Sequence, residues 1–122
     1  MVPIPEDVNT APVLVKLHAL VDKSNQITYK VEELADKTYL DFGPIKDYDG
    51  DSIIVETLYV KSLFTFSNGL LAFDYKALMA TRVGSQQITY EVKLTLTDSR
   101  GAVTQYTVFF IVPIDENWVD PV

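Results

Sequence analysis

The chain has 122 residues, 48% of them hydrophobic, no cysteine and a formal net charge of −7, which suits one core and leaves no disulfide, thiolate metal site or thiol nucleophile. The acid surplus argues against a nucleic-acid partner, whose phosphates call for clustered Lys and Arg. The longest apolar run, VFFIV at 108–112, has strand length and falls far short of the ~18 residues of a membrane span.

The opening stretch, MVPIPEDVNT, lacks the basic start and apolar centre of a signal peptide. A leading Met ahead of a Pro-rich acidic stretch is what a piece cut from a longer protein would show. Next, VLVKLHALV at 13–21 sets Val13, Val15, Leu17, Ala19 and Val21 on one side and Lys16 and His18 among the residues on the other, which predicts a first strand. A lone histidine on an outward face is a surface residue, so His18 is given no role.

Short strands are then predicted within QITYKVE (26–32), TYLDFGPI (38–45), SIIVETLYV (52–60) and LLAFDY (70–75), most of them bounded by Asp, Gly, Asn, Ser or Pro. VEELADK at 31–37 instead predicts a short helical turn, with Val31 and Leu34 at helical spacing. The clearest signal is ITYEVKLTLT at 88–97, where Ile88, Tyr90, Val92, Leu94 and Leu96 alternate with polar residues. It runs through DSRG, a turn signal at 98–101, into the alternating AVTQYTVFFIV, so the two runs form a hairpin. The spacing predicts an all-β sandwich or barrel, its edges kept from self-pairing by Glu56, Lys61 and Pro44.

Both ends differ from the middle. PIPEDVNTAP at 3–12 and PIDENWVDPV at 113–122 combine proline, acid and asparagine, which is linker chemistry. The reading is therefore a linker over 1–11, one domain over 12–113 and a second linker over 114–122. Similar linkers on both sides of one core are what a tandem array leaves when cut at one period.

The candidate site lies in the acidic loops. KDYDGD at 46–51 carries Asp47, Asp49 and Asp51 around Gly50, hard oxygen donors that suit calcium or magnesium. An EF-hand counted from Asp47 needs Gly at the sixth and Glu at the twelfth position, where Ser52 and Leu58 stand. In a sandwich the loops gather at two ends. The loop at 47–51, the turn at 98–101 and the incoming PEDVN would then bring Asp47, Asp49, Asp51, Asp98, Asp7 and Asn9 together. Such a group repels itself unless solvent screens it or a cation neutralises it. The competing account is a solvated turn, with Gly50 supplying a positive φ and Asp98 opening a tight hairpin.

The order NTAP, DYDGD, FSNGLLAFDY, YEVKLTLTDSRGAVTQYTVFFIV, PIDEN resembles a cadherin-like repeat of the bacterial and protist kind that includes dystroglycan-type cadherin-like domains. The resemblance implies an immunoglobulin-like β-sandwich of about seven strands, repeated in an extracellular or cell-surface protein as a spacer or adhesion module, with calcium at the junctions. By position it makes Asp47 and Asp49 the paired loop ligands and Asp98 the aspartate ending the penultimate strand. Asp7 and Asn9 become linker ligands, and Asp115, Glu116 and Asn117 the linker to a following repeat. The Leu-Asp-Arg-Glu element of true cadherins is missing, with Glu32 or Glu33 as candidate substitutes.

The implied partners are adjacent repeats of the same chain and another cell-surface protein or a glycan, with no membrane insertion by this domain. An enzyme is disfavoured, because one histidine, no cysteine and no nucleophile elbow leave little for acyl transfer. Two other classes stay open: a carbohydrate-binding sandwich using exposed Tyr or Trp118, and a calcium-independent structural domain of a larger protein.

Overall fold

The computed structural model describes residues 10–82 and 86–114. The chain is all-β, with two sheets facing each other and a small third one beside them. The larger sheet has four strands in the order β2 (Gln26–Lys30), β9 (Val103–Val112), β8 (Ile88–Asp98), β5 (Ile53–Leu58). The opposing sheet is β3 (Tyr39–Asp41), β7 (Leu70–Phe73), β6 (Phe64–Ser67). A two-residue pair, β1 (Val13–Leu14) with β4 (Ile45–Lys46), completes the strands. Nine strands thus stand where about seven were expected among the described residues, the excess being these two short pieces.

The β8–β9 hairpin is the spine, running from Ile88↔Val112 to Thr97↔Val103. Its alternation does what the sequence predicts. Val92, Leu94 and Leu96 on β8, with Tyr106, Val108, Phe110 and Val112 on β9, are fully buried. Phe110 lies at the centre of the core, its ring 4.8 Å from Phe64, 5.7 Å from Tyr29 and 6.2 Å from Phe73. These contacts join the two sheets, since Phe64 and Phe73 belong to β6 and β7. Burying an aromatic side chain of this kind contributes about 2–3 kcal/mol. Between β6 and β7 a tight turn uses Asn68 at φ 52 and Gly69 at φ 82. A side chain on Gly69 would meet the Gly43 backbone at 2.7 Å.

The first predicted strand is the main correction. Only Val13–Leu14 is extended; Val15–His18 forms a helical turn, α1, followed by a turn. The reason is tertiary. The amide of Val15 donates to Pro44 O, and those of Lys16 and Leu17 both donate to Phe42 O, so the neighbouring segment takes the bonds a strand would need. Leu14 and Leu17, three apart, are then both buried, which is helical rather than alternating spacing. Two elements went unpredicted: β6, and α2 (Tyr75–Ala80), which Asp74 caps by accepting from the Ala77 amide. The helical turn expected within 31–37 is a 3₁₀ helix at Val31–Leu34, with both named residues buried.

β2 pairs with β9 in parallel, from Gln26↔Thr107 to Lys30↔Ile111. This fixes the two ends of the molecule. β9 starts beside the 98–101 turn, and Lys30 sits opposite Ile111, eight positions beyond Val103, or roughly 26 Å away along the strand.

Candidate cation site

Three pieces of chain meet where β8 turns into β9. In β5–β8 the register sets Ile53 opposite Asp98, so the loop leaving β4 arrives beside the hairpin turn. Asp98 continues the core-facing row of Val92, Leu94 and Leu96, and is only 4% exposed. Its Oδ1 accepts from the amides of Arg100 at 2.9 Å and Ala102 at 2.8 Å. Gly101, at φ 89, closes the turn with its amide on Asp98 O. Asp47 serves its own loop in the same way, its Oδ1 accepting from the amides of Asp49 at 2.8 Å and Asp51 at 3.3 Å.

Carboxylate oxygens of Asp47, Asp51 and Asp98 lie within 4.8 Å of one another. Of these, Asp47 Oδ2 is buried and has no hydrogen-bond partner among the described residues. A buried carboxylate oxygen left without a donor costs a few kcal/mol of lost solvation, unless something positive meets it. Asp49 stands on the rim of the group. Its Oδ2 accepts from the Thr10 amide at 2.7 Å, which ties the incoming segment to this end. Asp7 and Asn9, the other expected ligands, lie outside the described residues, as do Asp115, Glu116, Asn117 and Trp118.

One positive group was not foreseen. Arg100, a residue of the turn itself, donates from Nε to Asp51 Oδ2 at 2.8 Å, and its Nη2 is 3.6 Å from Asp49 Oδ2. The hydrogen bond to Asp51, aided by the charges of Asp51, Asp49 and Asp98, lifts its guanidinium above the ordinary value. The sequence offered a signal in the Arg inside DSRG, but its partner is 49 residues away. The cluster is thus partly neutralised from within, while Asp47 Oδ2 stays buried without a donor among the described residues.

Glu32 and Glu33 sit in the 3₁₀ helix that follows Lys30, at the opposite end from Asp98. They cannot share an ion with Asp47, so their expected part in the same site is withdrawn. His18 is exposed, as expected of a surface residue, but it is not without a contact. Its Nδ1 is 2.9 Å from the Tyr106 hydroxyl, which also accepts from the Leu14 amide at 3.3 Å. The pair anchors α1 and β1 to β9. A surface groove of about 400 Å³, lined by Lys37, Phe73, Tyr75 and Lys76 among others, shares no residue with Asp47, Asp49, Asp51 and Asp98.

Compared with known proteins, the chain matches no family model, no curated protein and no solved structure. What the donor set can do is therefore read from its chemistry. Three carboxylates, two from one loop and one from the end of β8, could hold a hard cation such as calcium or magnesium and would suit soft metals poorly.

Proposed function

We propose that this chain is an immunoglobulin-like, cadherin-like repeat of a cell-surface or secreted protein, a spacer or adhesion module that holds calcium where it meets its neighbour. The observation that carries the reading is the convergence of Asp47, Asp51 and Asp98 around the unpartnered Asp47 Oδ2. Asp47, Asp51 and Asp98 would hold the ion, and Asp49 would join the incoming segment to it through Thr10. Calcium takes roughly six to eight oxygen ligands, more than one loop pair supplies. A preceding repeat and its linker would complete the shell, and the shared ion would stiffen the junction. The resemblance of DYDGD and TDSRG to that repeat class supports the same reading.

The test is the melting temperature in EDTA, in millimolar calcium and in millimolar magnesium at fixed ionic strength. A ligand that binds only the folded state at a hundred times its Kd adds about 2.7 kcal/mol. For a chain of this length that is a rise of about 10 °C. Calcium should raise the midpoint, magnesium should not match it, and Asp47→Asn with Asp49→Asn should remove the effect. An unchanged midpoint in both this chain and a two-repeat chain would leave the loop a polar turn.

A further inference from the structure

We infer that Arg100 is a tethered counter-cation that competes with the divalent ion for the aspartate cluster, so that binding requires its side chain to leave Asp51. The inference rests on the cation-site reading above and adds its regulation. Three observations carry it. The Arg100 guanidinium is paired with Asp51 and Asp49, and Asp51 is one of the three residues whose oxygens converge. Its backbone amide is separately fixed to Asp98 Oδ1, so the side chain is free to move without opening the turn. The side chain is partly solvent-exposed, at 42%, which gives it somewhere to go.

The physics sets two opposed effects. With no divalent ion present, the guanidinium screens the mutual repulsion of the aspartates and favours the folded loop pair. With the ion present, a positive charge a few ångströms from a doubly positive one repels it, even at high effective dielectric. Removing the charge at position 100 therefore weakens the ion-free domain and strengthens ion binding. A residue that merely supported the turn would weaken both.

The experiment uses the whole 122-residue chain and three forms of it: the parent, Arg100→Gln and Arg100→Lys. Terbium luminescence, with calcium as competitor, gives the affinity, and thermal unfolding in EDTA gives the ion-free stability. The expected result is that Arg100→Gln melts lower in EDTA and binds calcium about tenfold more tightly, with Arg100→Lys between it and the parent. Equal affinities in the parent and Arg100→Gln would overturn the role of Arg100 and leave the cation site standing. Weaker binding by Arg100→Gln would also overturn it and make Arg100 a support of the turn. If no form binds either ion, the competition falls for this chain, and the two-repeat chain decides whether the cation site falls with it. Should Arg100→Gln fail to fold, Arg100→Lys against the parent decides by the same comparison.

Discussion

Asp98 holds two jobs that substitution can separate. Its Oδ1 caps the hairpin turn by accepting from the Arg100 and Ala102 amides, while its charge belongs to the converging oxygens. Asp98→Ala strips both amides of their acceptor. At about 1–1.5 kcal/mol for each such bond at a largely buried acceptor, the loss is about 2–3 kcal/mol. A chain of this length loses about 4 °C per kcal/mol, so its midpoint in EDTA should fall by about 8–12 °C. Asp98→Asn keeps an oxygen in place and removes only the charge, so its midpoint in EDTA should lie within about 4 °C of the parent. In calcium neither variant should show the parent's rise, so the gap between them should stay as it is in EDTA. Differential scanning calorimetry in EDTA and in calcium reads all of these. If Asp98→Asn loses as much as Asp98→Ala in EDTA, the charge rather than the acceptor oxygen holds the turn, and the division of labour is refuted.

Gly69→Ala, at φ 82 with a Cβ 2.7 Å from Gly43 Cα, should cost about 3 kcal/mol. Gly50→Ala, at φ 75 with nothing within 4 Å, should cost only about 1–2 kcal/mol; equal losses in urea titrations would show that the Gly43 contact is not tight. Phe110→Ala should cost about 3–5 kcal/mol, because its ring meets Phe64, Tyr29 and Phe73; a loss under about 1 kcal/mol by the same titration would mean the core does not centre there. Burial raises the Tyr106 phenol above its ordinary value. The unfolded chain then releases that proton first, so stability is full below pH 10 and declines as pH climbs through the raised value. Tyr106→Phe should start lower at pH 7, having lost the link to Leu14 and His18, but fall less steeply between pH 9 and 11. Parallel slopes would place the alkaline sensitivity elsewhere, Tyr29 being the other phenol raised by burial.

The parts of the fold legible in the sequence are those where one periodicity runs long enough to exclude the other. From Ile88 to Leu96 strict alternation leaves no helical reading, and β8 follows it and runs on to Asp98. From Val13 to Val21 both periods fit, and the carbonyls of Phe42 and Pro44, absent from any local window, decide for the helical turn. α2 is six residues long, too short to show a period, though Asp74 ahead of an apolar stretch is the mark of a helix start. In the site, the meeting of Asp47, Asp51 and Asp98 was legible because loops of a sandwich gather at its ends. Arg100 was not, since a turn residue's side chain points wherever its long-range partner lies. The Glu32 and Glu33 expectation failed on direction: the parallel pairing of β2 with β9 carries the chain away from the aspartates before those residues are reached.

That parallel pairing also decides how the domain bears load. Thr10 is bonded at the aspartate end, and β9 finishes at the other, so a pull between Thr10 and Val112 is directed along β9. Its ladder with β2 spans five register pairs whose bonds lie across the strands rather than along them. Tension therefore shears those bonds together instead of peeling them one by one. Stretched along this axis, the domain should hold as a stiff link and give way in a single step.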